Sequence, residues 1–453
     1  MNNAILTPDY LFNADPTLHV IGGRLWLFAT HDQTSVLFIK GDDCSNMYDY
    51  QAMSTDDFRT WVHHGSIFSI HDVAWAKGNA VWDGDAGIEA DGKFYAYAPF
   101  DFQIGVLVSD HPAGPYRDAL GHPLIHRDET NQGFMAVSPS VVFDGQTPYL
   151  VYGWGKLYIA KLKPNMIELA EAPQQISVPS DFVESPIIAR INGRYYLTYS
   201  NGGLWGEREY DIPRMRYSIS DSISGPYVDS RTLQEAQVNS PESGFRHQYA
   251  SSAHQGFACY KGQWYFAYHR DSADGCHRHV CVTKLNVHED GTLAVVDPNT
   301  DPGVTGKPAV LLLDAFAPYK REAEEFHDRS GAAEEQGIRQ DYHFKMRDGG
   351  FLRFNNMDFG AGADGYRIEV SCENRNLTGP TVEFHLGAAD GPLLAACPVE
   401  FTGGTTDYVI KSGEILTRIG GVHDLYIVAH GNGGDTDASL FNINWFTFTR
   451  NSG

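Results

Sequence analysis

Basic residues are scarce in this sequence, and their scarcity excludes several classes of partner. Among 453 residues there are 34 Lys and Arg against 57 Asp and Glu, which gives a formal net charge of −23 at pH 7. A surface with this charge repels nucleic acid and anionic membranes. We therefore expect no nucleic-acid or membrane partner, and a soluble protein that acts on neutral ligands.

Long apolar runs and closely spaced cysteines are also missing. No stretch approaches the roughly 20 apolar residues that a membrane-spanning helix needs. The segment MNNAILTPDY at the N-terminal end has neither the basic part nor the apolar run of a signal peptide. The six cysteines, at positions 44, 259, 276, 281, 372 and 397, lack the CxxC spacing of a zinc site. We expect free thiols in a reducing cytoplasm, with secretion as the alternative if the chain has been trimmed.

Aromatic residues and glycine are abundant instead. Aromatics make up 13% of the chain, with 24 Tyr and 25 Phe, and there are 46 Gly. Aromatic residues favour twisted strands and glycine favours tight turns, so an all-β protein is expected. A chain of 453 residues is too long for one hydrophobic core. Two or three domains are therefore expected.

One pattern occurs five times: a turn residue, a basic or polar residue, and then an aromatic-rich strand. An apolar strand and a polar turn precede each copy, so each predicts a β-hairpin. The turn of the fourth copy is Asn192-Gly193, the strongest short hairpin signal. Five such units over about 310 residues predict a five-bladed β-propeller, with a stacked sandwich as the alternative. The copies are GRLWLFAT (23–30), GKFYAYAP (92–99), QTPYLVYG (146–153), GRYYLTYS (193–200) and GQWYFAYH (262–269).

Polar residues occupy matching places in this repeat, just before the innermost strand of a unit. They are Asp15, Ser138, Glu184 and His254. In a propeller the N-terminal ends of the innermost strands converge on one mouth of the central channel. Residues far apart in the chain are therefore expected to face one another across a single pocket.

Residues 9–305 resemble glycoside hydrolase family 43, whose catalytic domain is a five-bladed β-propeller. The resemblance rests on ordered motifs that include ADPTLHV, DYQAMSTDDFRTWVHHG, IGVLVSDHPAGPY, VESPIIARINGRYYLTYS and SAHQGFACYKGQWYFAYH. In detail the sequence is similar to arabinofuranosidases and xylosidases that trim arabinoxylan or its oligosaccharides. The resemblance implies an inverting, exo-acting hydrolase that releases L-arabinofuranose or D-xylose without a catalytic cofactor. A galactosidase, a disaccharide-releasing arabinosidase and a non-catalytic sugar-binding propeller are the alternatives.

Carried over onto this sequence, the family's general base is Asp15 and its general acid is Glu184. An inverting hydrolase uses one carboxylate to activate water and a protonated one to serve the leaving oxygen, with the two roughly 6.5–9.5 Å apart. The family's third carboxylate, which raises the pKa of the acid and orients it, is replaced here by Ser138. Asp85 or Asp83, in the WDGDAG segment, is expected to supply the missing charge. The further candidates are Asp144 and Asp128.

Other residues match positions where the family contacts sugar or an axial ion. His254 matches a channel histidine that faces an ion or water, and Arg278 matches an arginine that contacts sugar hydroxyls. Asp32 is expected to hydrogen-bond the released sugar and Trp82 to stack on a sugar ring, since C–H faces pack on aromatic rings. The structural alternatives are a packed histidine, a surface arginine, a turn aspartate and a core tryptophan. Further candidate stacking platforms are Trp75, Trp154 and Trp205.

The hairpin pattern stops near residue 314, which predicts domains at 1–314 and 315–453. Short strands with regular turns follow, and they are typical of a β-sandwich. This second segment is similar to carbohydrate-binding module family 6, a jelly roll. Thr405 and Thr406 stand where that family has a stacking tryptophan, so both retained and lost sugar binding remain open. The sequence does not indicate the oligomeric state.

The resemblance to family 6 also implies a structural calcium site. Glu322 and Glu324 match its first ligands, and Asn444 lies in the closing strand where an aspartate is usual. An amide oxygen in place of a carboxylate weakens the attraction for calcium. We therefore expect a calcium ion of reduced affinity at these residues.

Overall fold

The structure is a computed structural model that describes most of the chain. It covers residues 6–8, 11–32, 47–78, 80–127, 136–202, 213–238, 254–272, 277–305, 309–336, 342–375, 379–431 and 439–450. These residues form two compact units, the first within 1–33, 39–59 and 68–309 and the second within 60–67 and 310–453. Apart from a one-turn 3-10 helix at Ile70–Asp72, regular structure in the described ranges is all β-strand, as the composition predicted. Among these residues there is no helix of the length and apolar character that crossing a membrane requires.

The strands of the first unit form five antiparallel meanders. The first consists of β1 (Asn13–Ile21), β2 (Arg24–His31) and β3 (Asp49–Thr55), and the second of β5 (Asp85–Ala90), β6 (Lys93–Phe100), β7 (Gln103–Ser109) and β8 (Arg117–Asp118). The third contains β9 (Ser140–Asp144), β10 (Thr147–Tyr152), β11 (Leu157–Lys161) and β12 (Gln174–Ile176). The fourth contains β13 (Glu184–Ile191), β14 (Arg194–Ser200), β15 (Met215–Ser220) and β16 (Arg231–Gln234), and the fifth β17 (Gln255–Tyr260), β18 (Gln263–Asp271) and β19 (Arg278–Leu285). The strand between the first two meanders, β4, is given with the second unit.

A two-residue turn joins the first two strands of the fourth meander. Asn192 and Gly193 have φ angles of 51° and 86°, and Ile191 pairs with Arg194 across the turn. A type I′ turn needs positive φ at both central residues, which Asn and Gly tolerate better than other residues. The hairpin predicted from the Asn-Gly signal is confirmed.

The first strands of successive meanders contact one another in order. β1 contacts β5, β5 contacts β9, β9 contacts β13 and β13 contacts β17, and β17 contacts β1 again. Buried side chains fill the spaces between meanders, as Tyr97, Tyr152 and Met166 do between the second and the third. This is a propeller-like arrangement, and it gives residues from distant parts of the chain a common meeting point.

The second unit is built from strands that pack around an aromatic core. They are β4 (Thr60–Ser69), β20 (Val310–Asp314), β21 (Arg321–Glu322), β22 (Asp328–Gln336), β23 (Tyr342–Asp358), β24 (Ala363–Ser371), β25 (Thr381–Leu386), β26 (Leu393–Pro398), β27 (Val409–Ile419), β28 (Val422–His430) and β29 (Ser439–Thr449). β23 pairs with β22, β28 and β29, β25 pairs with β26 and β28, and β24 pairs with β27 and β29. The core between these strands includes Phe344, Phe354, Phe384, Phe446 and Phe448.

Residues 60–67 join this second unit through long-range pairing. β4 lies parallel to β20, with Val310 to Leu313 paired to Thr60 to His63. The buried guanidinium of Arg321 also holds residues 60–67 to the rest of the second unit. It donates to the carbonyl of His63 at 2.9 Å and to the carboxylate of Glu325. A buried charge is tolerated when it is paired and hydrogen-bonded in this way.

Candidate active site

Among the non-glycine residues of the first unit that have a left-handed backbone conformation, three are each followed by a proline. The φ angle is 50° at Asp15, 52° at Ser138 and 59° at Ser185. A positive φ costs a residue with a side chain about 1–3 kcal/mol and occurs mainly where the surrounding structure holds it for a functional purpose. A β-bulge accompanies this conformation in β1 and in β13.

The pairing registers of β1 and β13 show that Glu184 and Asp15 do not occupy the equivalent positions in the repeat that the sequence had predicted. Ala14 pairs with Thr30 in β2, and Glu184 pairs with Ser200 in β14. Each pair is the last one before the bulge. Ser185 is therefore the counterpart of Asp15, and Glu184 lies one position earlier than the repeat pattern placed it. The offset is also visible in the sequence, because Asp15 directly precedes Pro16 whereas Ser185 stands between Glu184 and Pro186.

Asp15 is a buried carboxylate surrounded by hydrogen-bond donors. Nη1 of Arg278 lies 3.2 Å from its Oδ1, and the Thr30 hydroxyl donates to its Oδ2 at 3.1 Å. Its backbone N–H donates to Nδ1 of His269 at 3.1 Å. Burial raises the pKa of Asp15, but opposing effects, of which the charge of Arg278 is the largest, outweigh burial and lower the pKa overall. Asp15 is therefore ionised at neutral pH.

The guanidinium of Arg278 links Asp15 to Asp32. Its Nε donates to one oxygen of Asp32 at 3.0 Å and its Nη2 donates to the other at 2.7 Å. This bidentate geometry is the one that orients an arginine most firmly. Asp32 is 1% exposed. Both carboxylate oxygens of Asp32 accept hydrogen bonds from Arg278, so Asp32 positions the guanidinium beside Asp15, and the predicted sugar contact of Asp32 stays a prediction.

Glu184 has the opposite electrostatic surroundings. Its residue is 8% exposed, and no described side chain donates a hydrogen bond to its carboxyl group. Burial raises the pKa of Glu184 well above its usual value, and the charges of Asp83 and Asp15 raise it further. Both effects favour the protonated form of this carboxyl group.

A carboxylate does lie beside Ser138. The Ser138 hydroxyl donates a short hydrogen bond to Oδ2 of Asp83. Burial and the charge of Asp15 raise the pKa of Asp83 to about 7, although the bond from Ser138 and the charge of Arg278 act in the other direction. The charge of Asp83 raises the pKa of Glu184 more than the charge of Asp15 does.

Asp83 rather than Asp85 meets Ser138, which corrects the position predicted for Asp85. Oδ1 of Asp85 lies 2.6 Å from Nε2 of His19, and its Oδ2 accepts the backbone N–H of Val141 at 3.0 Å. These contacts join β5 to β1 and to β9. Asp85 is the first residue of β5, so its side chain follows the strand register, whereas Asp83 precedes the strand and is free to turn towards Ser138.

Tyr50 and Gly84 hold the segment that presents Asp83. The backbone N–H of Gly84 donates to the hydroxyl of Tyr50, and the buried Tyr50 ring stacks on Phe68 with centroids 5.0 Å apart. A Cβ at position 84 would lie 2.5 Å from the carbonyl oxygen of Tyr97, so only glycine fits there. These contacts fix the backbone directly after Asp83 and thereby the position of its carboxylate.

His254 and Trp82 are the other predicted ligand contacts that the structure describes. His254 is fully buried, and among the described residues neither ring nitrogen has a well-formed hydrogen bond. Burial lowers the pKa of His254, although Asp15, Asp85 and the nearby Pro16 carbonyl act to raise it, so the ring is neutral. Trp82 is half-buried and packs on Phe102 with ring centroids 5.0 Å apart.

Some of the remaining candidates from the sequence lie within the described residues and others lie outside them. Trp75 donates through Nε1 to Asp118 at 2.9 Å and packs edge to face on Phe100, so it supports the second meander. Trp154 is half-buried. The four described cysteines form no disulfide among themselves. Trp205, Asp128, Cys44 and Cys276 lie outside the described residues.

The residues predicted to bind calcium suit that ion poorly. Oε1 of Glu322 lies 2.5 Å from Nζ of Lys320, which already neutralises it. Nδ2 of Asn444 donates to Glu369 at 2.7 Å, so the amide group is held by that contact. Glu324, two residues after Glu322 in the chain, is also buried. Calcium needs several oxygen ligands with a net negative charge, and the ammonium group of Lys320 opposes it.

Sequence reasoning did not single out Thr30, His269 or Tyr50. Thr30 and His269 are the last residues of the first and fifth copies of the repeated strand, GRLWLFAT and GQWYFAYH. A polar residue that ends an aromatic strand was the available signal. Nothing in the sequence distinguishes Tyr50 from the other tyrosines, because its role comes from packing next to Gly84.

The first unit therefore holds two carboxyl groups whose pKa values are shifted in opposite directions. Arg278 lowers the pKa of Asp15, and burial and the charge of Asp83 raise that of Glu184. One group can take a proton from water while the other gives a proton to a leaving oxygen. Environments that push two pKa values apart are the arrangement that general acid–base catalysis requires.

Comparison with known proteins agrees with this chemistry. The model for glycosyl hydrolases family 43 matches residues 5–293, and that for carbohydrate binding module family 6 matches residues 322–450. An arabinoxylan arabinofuranohydrolase of Paenibacillus polymyxa is 27% identical, over 98% of this chain and 74% of its own length. A xylosidase/arabinosidase of Bacteroides ovatus is 27% identical, over 58% of this chain and 86% of its own length. The crystal structure of a GH43_1 enzyme from Xanthomonas citri complexed with xylotriose matches with a TM-score of 0.54 and 26% identity, over 66% of this chain and 95% of that one.

Proposed function

The chain belongs to glycosyl hydrolases family 43 and carries a carbohydrate binding module of family 6, and we propose that it is an inverting, exo-acting glycoside hydrolase. Its proposed products are L-arabinofuranose or D-xylose, released from arabinoxylan-type or related plant oligosaccharides. The relatives named arabinoxylan arabinofuranohydrolase and xylosidase/arabinosidase support this substrate class. The observation that carries the proposal is that the pKa values of Asp15 and Glu184, which act on each other electrostatically, are shifted in opposite directions.

Asp15 is the general base in the proposed reaction. A water molecule on one face of the sugar gives a proton to the Asp15 carboxylate while its oxygen bonds to the anomeric carbon. Arg278 and Thr30 orient the carboxylate, and the positive charge of Arg278 keeps it ionised until the water arrives. Asp32 is a positioning residue in this reaction, because both of its carboxylate oxygens bind the guanidinium of Arg278 and hold it beside Asp15.

Glu184 is the proposed general acid. It gives its proton to the glycosidic oxygen as the bond from that oxygen to the anomeric carbon breaks, so the leaving saccharide departs as an alcohol. Inversion needs room for the water between the two carboxyl groups, which corresponds to a separation of roughly 6.5–9.5 Å. No metal or redox cofactor takes part in this proton transfer chemistry.

Asp83 is proposed to supply the charge that the third carboxylate provides elsewhere in the family. Ser138 occupies that position here and donates its hydroxyl hydrogen to Asp83. The charge of Asp83 raises the pKa of Glu184 more than Asp15 does, which is the effect the third carboxylate must have. Serine at position 138 therefore gives no reason to prefer a non-catalytic sugar-binding protein.

The finer features of the two units are also proposals. The return contact of β17 with β1 supports a five-bladed β-propeller for the first unit. The antiparallel pairings within the second unit support a jelly roll. We propose that Trp82 stacks on the substrate, that neutral His254 faces the propeller axis, and that any calcium at Glu322, Glu324 and Asn444 is bound weakly because of Lys320.

Release of monosaccharide from arabinoxylan oligosaccharides and from nitrophenyl glycosides tests this function. Glu184→Gln is expected to lower kcat/KM on the natural substrate by about 100- to 10,000-fold. The loss should be smaller on nitrophenyl glycosides, because nitrophenolate leaves without a proton. Asp15→Asn should lower both rates alike, and Asp221→Asn, a change at an exposed carboxylate, should lower neither.

Product NMR at early times adds the stereochemical test. The released sugar should first appear with the anomeric configuration opposite to that of the substrate. Equal rates for the wild type and Glu184→Gln would remove Glu184 from the mechanism. Saccharide binding in a calorimeter without any Asp15-dependent product would instead indicate a sugar-binding protein.

A further inference from the structure

Glu383, His385 and His430 meet on one face of a sheet in the second unit. β25 and β28 pair antiparallel, with Thr381 opposite His430. Alternate residues of a strand share a face, and directly paired residues project to the same side. The three side chains therefore lie together, while the other face of β25 packs into the core.

The distances between these side chains are those of a metal-ligand set. Nε2 of His385 lies 2.8 Å and Nε2 of His430 lies 3.2 Å from the same oxygen, Oε2 of Glu383. All three ligand atoms lie within 4.8 Å of one another. In a tetrahedral zinc site with bonds of about 2.0–2.1 Å, neighbouring ligand atoms are roughly 3.3 Å apart. Small side-chain rotations would therefore close these three atoms around one ion.

The carbonyl oxygen of Gly391 selects the tautomer of His385. Nδ1 of His385 lies 2.8 Å from this oxygen. A carbonyl only accepts hydrogen bonds, so Nδ1 carries the hydrogen and Nε2 of the neutral ring has a lone pair. That lone pair faces a carboxylate oxygen, which also only accepts. A metal ion bound by both of these atoms would remove the repulsion between their lone pairs at 2.8 Å.

The turn that presents the Gly391 carbonyl is tightly constrained. The backbone N–H of Gly391 donates to Ala388 at 3.0 Å, and that of Leu386 donates to Pro392 at 3.1 Å. A Cβ at position 391 would lie 2.1 Å from the carbonyl oxygen of Leu386, so glycine is required. A fixed carbonyl on the distal nitrogen is the usual means by which proteins orient a metal-binding histidine.

From this geometry we propose that Glu383, His385 and His430 bind one divalent transition-metal ion, for which zinc is the best match. Two imidazole nitrogens and one carboxylate oxygen form the ligand set of protein zinc sites that keep a water molecule in the fourth position. The side chains are 10% exposed at His385, 24% at Glu383 and 48% at His430. The inner two ligands are thus held by the fold, and His430 closes the site from the solvent side. The ion cross-links β25 to β28.

Zinc titration of the full chain tests the site. The protein carries no polyhistidine tag, is stripped with a chelator and is titrated with zinc chloride in a calorimeter. His385→Gln and His430→Gln should each bind one zinc ion fewer than the wild type, or bind it at least about 10-fold more weakly. His423→Gln is the matched control, because His423 lies on the same strand and bonds instead to the Gly420 carbonyl.

Thermal unfolding gives a second measurement, in which the variants are compared with and without zinc so that zinc bound elsewhere on the chain affects all of them alike. Zinc should raise the Tm of the wild type and of His423→Gln, and it should not raise that of His430→Gln. The Tm of each variant without zinc shows whether it folds. Equal zinc stoichiometry and affinity in the wild type and His430→Gln would overturn the proposal.

Discussion

Replacing Asp83 by Asn tests whether this residue sets the protonation of the general acid. Asparagine keeps the shape of the side chain and still accepts the hydrogen bond from Ser138, but it removes the negative charge. The charge of Asp83 follows burial as the second cause that raises the pKa of Glu184. In the variant Glu184 should therefore lose its proton at lower pH, and the alkaline limb of the pH–rate profile should move to lower pH.

Coulomb's law gives the size of the shift. At an effective dielectric constant of about 20, a full charge placed about 7 Å from a carboxyl group opposes its ionisation by about 2.4 kcal/mol. This corresponds to about 1.7 pKa units. Burial and the charge of Asp15 raise the pKa of Asp83 itself to about 7, so it is half-ionised at neutral pH. The alkaline limb lies above neutral pH, where Asp83 is mostly ionised, so we expect it to move by about one to two pH units.

The assay is kcat/KM for an arabinoxylan oligosaccharide between pH 4 and pH 9, roughly the range in which carboxyl groups of a catalytic pair titrate. Ser138→Asp, in the background of Asp83→Asn, returns a carboxylate to the neighbouring position and should move the alkaline limb back. Ser138→Asp alone should bring no gain, because Asp83 already supplies the charge. An unchanged alkaline limb in Asp83→Asn, or a large gain in Ser138→Asp alone, would refute the reasoning.

Further predictions concern the base, the strand contacts and the second unit. Arg278→Lys weakens the interaction that does most to lower the pKa of Asp15. The pKa of Asp15 should therefore rise, and the acidic limb of kcat/KM should move to higher pH in the same profiles. Asp85→Ala leaves the backbone N–H of Val141 without its acceptor and should lower the free energy of unfolding in urea by about 1–3 kcal/mol without moving either limb. Burial, assisted by the charge of Arg353, lowers the pKa of His327 to about 4, so the unfolded chain takes up this proton first and stability falls as the pH drops from about 6.5 to about 4. After allowance for partial exposure, His327→Gln should reduce this loss by about 1–2 kcal/mol in urea unfolding at pH 7 and pH 5.

Each of these predictions has an outcome that contradicts it. An acidic limb that does not respond to Arg278→Lys would mean that Asp15 is not the base. A moved alkaline limb in Asp85→Ala would assign the modulating charge to Asp85 after all. The same stability difference between pH 7 and pH 5 in the wild type and His327→Gln would mean that other groups control the acid sensitivity of the second unit.

The organisation of the chain was largely predictable from sequence. Alternating apolar residues and Gly-containing turns act over a few residues, so the hairpin at Asn192-Gly193 and the repeated strands could be predicted without coordinates. The joining of residues 60–67 to the second unit could not be predicted, because β4 pairs with β20 across more than half of the chain. Such a pairing depends on backbone hydrogen bonds that carry no residue signature.

The site divides in the same way. Asp15, Glu184 and Arg278 were identified from their residue type and their place in recognisable motifs, and the structure brings them into one electrostatic group. The sequence showed that Ser138 lacks a carboxylate but not whether Asp83 or Asp85 replaces it. That choice depended on where β5 begins and on the contact of Gly84 with Tyr50.

Sequence alone determined the all-β character of this protein, the hydrolase family to which it belongs and the identity of its two principal carboxyl groups, because each is written in local patterns or motifs. Only the tertiary structure decided in which direction the pKa of each carboxyl group is shifted, and that Asp32 holds Arg278. Protonation depends on burial and on charges a few ångströms away. Those neighbours come from distant parts of the chain and are set only when the strands pack together.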